Sequence, residues 1–315
     1  MTTRSRLGDL VLEVLPPGPP RRAMTVDVED WYHSNFASAP RLDESALPRR
    51  VVEGVERLLD LLDPLDVKAT FFVLGVVARE HPTLATRIAN AGHEVASHGD
   101  SHDLVYASPP EVFARTVREA RERLCDQSGQ DVAGFRAPSW SITERCLWAF
   151  DALAEAGFRY DSSVFPAANY LYGIDGAPHT PYRVHTPRSA SLLELPPPIL
   201  SAGPLRIGVG GGLYLRALPL WVQRFALKRY ARWGAPFLTY LHPREIDPHA
   251  AELRLPLSRF EQLLHRVGLR SVSRKIEALL REDGWEPLGA IAARLDGVGS
   301  SDRGDGVSWP APQSK

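Results

Sequence analysis

From residue 23 to residue 281, short apolar runs alternate with segments whose apolar residues recur at helical spacing. This alternation restricts the chain to folds built on a parallel sheet or barrel. Strands are predicted over 23–28, 69–74, 94–97, 135–137, 160–162, 192–195 and 237–241, about seven in all. Helices are predicted over 49–62, 82–91, 110–125, 143–156, 218–233, 256–267 and 272–281. The first of these has Val51, Val52, Val55, Leu58, Leu59 and Leu62 on one face, the 3.6-residue period. Residues 164–217 read as irregular and rich in Pro and Gly, and a connection of that length inside a domain is usually functional.

At 315 residues the chain is within the range of one α/β barrel. The expected organisation is an N-terminal arm over 1–22, one domain with a C-terminal helical extension over 23–295, and a disordered tail over 296–315. With 44% hydrophobic and 24% charged residues and a formal net charge of −1, it reads as a globular protein without a polyanion partner. Arginine exceeds lysine, but the basic residues look scattered and mixed with acids, so a nucleic-acid surface is not expected. Cys125 and Cys146 form no CxxC pattern, against both a disulfide framework and a cysteine metal site. Residues 1–22 lack a signal-peptide core, and no segment has the ~18 apolar residues of a membrane span. The expectation is a cytoplasmic protein, at most at the inner face of the membrane.

The chemistry concentrates where the strands end. His98 and His102 lie four residues apart after the 94–97 run, with Gly99 between them. Two imidazoles so spaced reach one ion if the chain turns, which glycine permits. Asp27-Val28-Glu29-Asp30 closes the 23–28 run and offers a third ligand. Two His and one carboxylate leave open positions for water and substrate, the pattern of a catalytic site. Side chains two apart share one strand face, so Glu29 points with Asp27; if the strand ends at Val28, Asp30 takes its place. Asp27, His98, Arg136, Asp161 and His242 each fall at or just past a strand's C-terminal end, where α/β barrels collect catalytic groups.

In order along the chain, Thr25-Val26-Asp27-Val28-Glu29-Asp30-Trp31, Ser97-His98-Gly99-Asp100-Ser101-His102, Phe135-Arg136-Ala137-Pro138-Ser139-Trp140, Tyr160-Asp161-Ser162-Ser163 and Leu241-His242-Pro243 resemble the five motifs of the polysaccharide deacetylases. This is the NodB homology domain, carbohydrate esterase family 4, and the likeness is to its exopolysaccharide- and exosortase-associated branch. The resemblance implies a distorted (β/α) barrel and a metal-dependent deacetylase that hydrolyses N-acetyl groups of hexosamine residues in a polysaccharide or its lipid-linked precursor. It implies Asp27 as base, Arg136 as its orienting partner, and a divalent ion, zinc first and cobalt or another divalent ion as substitutes, on His98, His102 and Glu29 or Asp30. It further implies Ser139 as oxyanion donor through its N–H, His242 as acid, and Asp161 as the group holding His242. One departure is Val28, where the common motif has a second aspartate; an Asp-x-acid pattern is similar to that of allantoinase-like members. A cyclic amide hydrolase and a carbohydrate-binding pseudoenzyme are therefore the competing readings.

Trp31, Trp140 and Tyr214 are candidates to contact sugar, with Tyr32, Tyr170, Tyr172 and Arg216 behind them. Gly208–Gly212 lacks the Gly-Lys-Ser/Thr ending of a phosphate loop and reads as a flexible loop on the substrate side. The remaining histidines read as surface or supporting residues, His93 serving the turn before the second motif.

Overall fold

A strand buried on both faces must be covered on both sides, and Arg22–Val28, buried at every residue but the first, is such a strand. The computed structural model describes residues 7–36, 47–186, 188, 191–203 and 205–298. Its strands are β1 (Val11–Val14), β2 (Arg22–Val28), β3 (Thr70–Val73), β4 (Glu94–Ser97), β5 (Gly134–Phe135), β6 (Tyr160–Asp161), β7 (Tyr182–His185), β8 (Ser191–Glu194), β9 (Ile199–Ala202), β10 (Leu205–Gly208), β11 (Phe237–Leu241) and β12 (Trp285–Glu286). Its helices are α1 (Val51–Leu62), α2 (Gly75–Glu80), α3 (Leu84–Asn90), α4 (Pro110–Ser128), α5 (Ala149–Glu155), α6 (Gly212–Ala217), α7 (Leu220–Trp233), α8 (Arg259–Arg266), α9 (Leu269–Leu280) and α10 (Leu288–Val298).

Seven strands run parallel in the order β8-β6-β5-β4-β3-β2-β11, the mixed α/β architecture expected of a NodB-like chain. β7 and β1 extend the β8 edge antiparallel, and β12 adds a short parallel contact to β2. The strand order ends at β11, whose outer edge meets Gly210 and Gly211. Inward residues Ala23, Phe72, Ala96, Tyr160, Leu193 and Leu238 form a core closed at the strands' N-terminal end by Leu288, Ile291 and Ala292 of α10. The Glu94 carboxylate and the Thr70 hydroxyl accept the first N–H groups of that helix at 2.8 and 2.7 Å, completing its N-terminus. With that end plugged, the opposite end is the one open to chemistry.

Several elements differ from expectation for physical reasons. The span 164–217 holds β7, β9, β10 and α6 as well as the foreseen β8; four-residue antiparallel strands between prolines carry too little periodicity to read. The N-terminal segment contributes β1, registered on β7 from Val11 opposite His185 to Val14 opposite Tyr182. The helix expected over 143–156 shortens to Ala149–Glu155, and α2 and α10 were not anticipated. Of the predicted disordered tail, residues 299–315 lie outside the described residues, while 296–298 complete α10.

Candidate metal centre and acid–base site

Register assembles the site. Leu241 pairs with Val26, and Phe135 pairs with Ser97 on one side and Asp161 on the other, so the residues that follow these strands emerge side by side. Thr25 and Asp27, two apart on β2, share the inward face.

Beyond β2 the Glu29 N–H bonds back to the Asp27 carbonyl at 3.1 Å, and this tight turn aims the Glu29 side chain into the site. Its Oε2 lies 2.7 Å from His102 Nε2 and 3.5 Å from His98 Nε2. Glu29, His98 and His102 thus offer three ligand atoms within 4.8 Å of one another. His98 Nδ1 sits 2.8 Å from the Arg136 carbonyl, which fixes the proton there and leaves Nε2 a lone pair. The Asn35 side-chain amide is 3.1 Å from His102 Nδ1 and 3.1 Å from Ser139 Oγ, tying the second imidazole to the third motif. Burial works against a charged Glu29, but the imidazoles of His102 and His98 hold its pKa well below the usual carboxylate range. A buried carboxylate, a buried imidazole and a half-buried one converging without a cation among them is a donor set that fits a divalent ion.

Asp30 is not part of that set. Its carboxylate accepts the backbone N–H groups of Trp31, Arg50 and Val51. It serves the start of α1 instead of the metal cluster, so only Glu29 of the two candidate acids faces the imidazoles even though β2 does end at Val28. His33 supports the turn, its Nδ1 accepting from Asp30 N at 3.0 Å while its ring stacks on His102 at 6.0 Å.

Asp27 receives Arg136 Nη1 at 2.7 Å, and the same nitrogen donates to Thr25 Oγ1 at 2.8 Å. Arg136 is buried, with Nη2 on Ser162 Oγ at 3.1 Å and its guanidinium over the Phe72 ring at 4.2 Å. A planar cation held at both ends fixes the Asp27 carboxylate in one orientation.

His242 faces this pair, with Nε2 4.0 Å from Asp27 Oδ2 and 3.9 Å from Glu29 Oε1. On its other side Nδ1 lies 3.4 Å from Glu245 Oε2, which also accepts the His242 backbone N–H at 3.1 Å. Glu245 is buried, and its Oε1 takes Arg216 Nε at 2.6 Å. Arg216 in turn donates to the carbonyls of Leu264, His265 and Val267 at the end of α8. Burial alone lowers the His242 pKa, but its hydrogen bond to Glu245 and the carboxylates of Glu29 and Asp27 raise it above the ordinary value. Glu245 is held at about 2, the His242 hydrogen bond and the charges of Arg216 and Arg244 overcoming burial.

The group behind His242 is therefore Glu245, and the expected pairing with Asp161 is not formed. Asp161 instead meets the Ser162 N–H at 2.9 Å, the Ser163 hydroxyl and the side chain of Glu194, its register partner on β8. Both carboxyls are fully buried. Burial raises Asp161 to about 6, and burial with the Asp161 charge raises Glu194 well above the carboxylate range, so the two share a proton. Glu245 could have been found in the sequence: it stands three residues after His242, the capping-box spacing. Asn35 has no such signal, because it arrives on a loop.

Ser139 and Trp140 occupy left-handed backbone (φ 51° and 47°), and the Ser139 hydroxyl accepts from the Asn35 amide that also reaches His102. Trp140 packs edge-on to Tyr240 at 4.6 Å, and Tyr240 lies 6.2 Å from the His242 ring. Tyr214 joins the same wall through Phe165 and a 3.1 Å hydroxyl contact with Tyr172. Trp31 is elsewhere: buried with Tyr32, Leu255 and Leu257, its Nε1 donating to the Pro48 carbonyl, it is a packing residue instead of a sugar contact. Arg216, also a candidate sugar contact, is spent on Glu245. The glycine run is not a loose loop either. A Cβ on Gly210 would meet the Leu238 carbonyl and one on Gly211 the Tyr240 ring and carbonyl, so these glycines let the chain press against β11.

Comparison with known proteins agrees with this arrangement. Residues 43–160 match the family model described as polysaccharide deacetylase, and residues 162–293 match one described as a domain of unknown function (DUF3473). A chitooligosaccharide deacetylase of Rhizobium leguminosarum bv. trifolii is 34% identical over 109 residues, 28% of this chain and 51% of that protein. A peptidoglycan-N-acetylglucosamine deacetylase of Bacillus cereus is 33% identical over 99 residues, 31% of this chain and 36% of that protein. The chain thus spans about half, or less, of the length of these relatives. Among solved structures, a Mycobacterium smegmatis protein provisionally named a polysaccharide deacetylase superposes with TM-score 0.62 at 22% identity, over 95% of this chain and 99% of that one. PuuE allantoinase superposes with TM-score 0.58 at 16% identity, over 89% and 91%. At these identities the superpositions speak for the fold alone, whereas the family model and the ordered motifs speak for descent. Over residues 43–160 the chain is similar to the polysaccharide deacetylase family, and the motifs on either side of that stretch extend the likeness to Asp27 and His242.

Proposed function

We propose that this protein is a metal-dependent deacetylase that hydrolyses N-acetyl groups of hexosamine residues in a polysaccharide or its lipid-linked precursor. The observation that carries the reading is the placement of a base and an acid beside a three-ligand cluster: Asp27 clamped by Arg136, and His242 backed by Glu245, 4.0 Å from each other. Binding alone needs neither.

Glu29, His98 and His102 are the residues that would hold a divalent ion, zinc in the first place. Such an ion supplies a Lewis acid for the acetyl carbonyl and acidifies water. Asp27 takes the proton of the attacking water, and Arg136 keeps the accepting oxygen aimed at it. As the carbonyl carbon becomes tetrahedral its oxygen gains charge, and the Ser139 N–H is the protein's donor to it; one such donor is worth about 3 kcal/mol. His242 delivers a proton to the departing nitrogen, without which an amine is a poor leaving group. Tyr214, half-buried against Phe165, offers a ring face to the sugar, while Trp140 is buried in the same cluster and backs that wall.

The test is acetate release from N-acetylglucosamine and N-acetylgalactosamine oligomers after chelation, with and without added Zn²⁺, alongside Asp27→Asn. Release restored by metal and reduced at least 10²-fold by the substitution is expected. Ring opening of cyclic amides without acetate release would favour the allantoinase-like reading, and neither activity would favour a binding protein.

A further inference from the structure

The whole chain carries 37 basic and 38 acidic residues, yet the fifty residues from Leu195 to Arg244 contain seven basic residues and no acid. The basic residues are therefore not evenly mixed with acids, and the imbalance has a place in the fold. Four of the seven are on α7: Arg224, Lys228, Arg229 and Arg232. This helix buries Gln223, Ala226, Leu227 and Tyr230 against the domain. Its opposite stripe, at spacings of four, three and four, is Trp221, Phe225, Lys228 and Arg232, all exposed. Trp221 is 70% exposed and Phe225 49%, one turn apart. Arg224 beside them reaches the Ala278 carbonyl of α9 and Glu282 just past that helix, and Arg229 lies over Trp233. Among the described residues Lys228 and Arg232 form no ion pair.

The stripe also has a direction. α6 begins against the Tyr240 ring, and the chain leaves α7 through Gly234 to enter β11 at Phe237. The helix therefore runs opposite to β11, and its aromatic end lies at the level of Tyr240 and His242. Two large aromatic groups facing water at the end that takes substrate, followed along the stripe by cations, make a face that a single soluble domain gains nothing by exposing.

We propose that this stripe of α7 docks the protein on an anionic phospholipid surface, with Trp221 and Phe225 in the interfacial layer and Lys228 and Arg232 on the headgroups. The choice of partner follows from charge and shape. A second copy packed symmetrically on this face would gather the cations of both helices with no acid on either to pair them. The face is a convex single helix, without a groove for a nucleic-acid strand. An interfacial helix of the known physical kind has an apolar aromatic edge flanked by Lys and Arg, and among the described residues no helix is long and apolar enough to cross a membrane. The inference is independent of the reaction proposed above; surface docking would bring the open end of the barrel to substrates held at a lipid–water boundary.

The experiment is sedimentation of the full chain with vesicles of phosphatidylcholine alone and of phosphatidylcholine with one quarter phosphatidylglycerol, at 0.1 M and 0.5 M NaCl. Binding to the anionic vesicles only, weakened at the higher salt, is expected. Trp221→Ser with Phe225→Ser, and separately Lys228→Glu with Arg232→Glu, should each lower the vesicle partition about tenfold or more. Acetate release from a soluble oligomer and thermal unfolding should stay as in the unsubstituted chain, since none of the four residues touches the site or the core. No binding to anionic vesicles overturns the proposal, as does undiminished binding by the aromatic pair. A dimer in solution that the aromatic substitutions dissolve would overturn it in favour of a second copy. Equal retention on heparin and on vesicles, unaffected by the aromatic substitutions, would reduce the face to unspecific charge.

Discussion

In the proposed reaction His242 is the general acid, which must present its proton along one direction, and Glu245 sets that direction from behind. The carboxylate holds both the ring and the main chain of His242, and Arg216 holds the carboxylate in a pocket closed to water. Because Glu245 touches no reacting atom, its effect is on the orientation and charge of the imidazole. Glu245→Gln keeps the shape and removes the charge; kcat should fall about 10–100-fold while metal content and KM change little. Asp161→Asn, which removes the acid that motif order assigned to this task, should leave kcat several-fold closer to that of the unsubstituted chain. A larger kcat loss in Asp161→Asn than in Glu245→Gln, measured side by side with metal content, would return the role to Asp161. Arg216 is a related lesson at this scale. Its position after a glycine run suggests contact with ligand, but the ion pair that buries it joins residues 29 positions apart, which no local pattern records.

Elements came through the sequence in proportion to how completely they are buried. β2, β3, β4 and β11 are legible because strands covered on both faces are rich in apolar residues, their few polar side chains being the ones that the fold buries. β5 and β6, two residues each, are found only because Arg136 and Asp161 mark their ends. β7, β9 and β10 escape because a partly exposed antiparallel strand of four residues carries mixed polarity. The segment from Gly210 to Gly212 shows the same limit: its glycines read as freedom, but they are there for close approach to β11. Gly211 has extended backbone that alanine also adopts, so Gly211→Ala tests the contact without dihedral strain. Its Cβ would fall within the Tyr240 ring and carbonyl, and overpacking of this kind costs about 1–3 kcal/mol. Thermal unfolding should drop by several degrees, and kcat with it, because Tyr240 precedes His242 by two residues. Gly129→Ala, which meets nothing within 4 Å but sits at φ 68°, should lower the unfolding temperature through backbone strain and leave kcat unchanged.

At the scale of the molecule, one end of the sheet is plugged by α10 and the other gathers Asp27, Glu29, Asp161, Glu194 and Glu245, all buried. Arg136, Arg216 and Arg244 balance three of these five charges, the proton shared by Asp161 and Glu194 removes a fourth, and Glu29 is left to the imidazoles around it. That proton ties the stability of the whole chain to pH. Both folded-state pKa values are raised, so the folded chain keeps protons that the unfolded chain releases near pH 4. The pair's contribution is then fully favourable below that value, diminishes as pH rises toward about 6, where Asp161 ionises, and diminishes further above it as Glu194 resists ionisation. Glu194→Gln supplies a neutral side chain of the same shape at every pH and removes the Glu194 part of this dependence. Relative to the unsubstituted chain its unfolding temperature should be level or lower at pH 5 and higher at pH 8, a divergence equivalent to a few kcal/mol. Thermal unfolding of both proteins across that range decides it. Parallel pH curves would mean that the two carboxyls do not carry a shared proton in the fold, and that Arg136 neutralises Asp161 as well as Asp27.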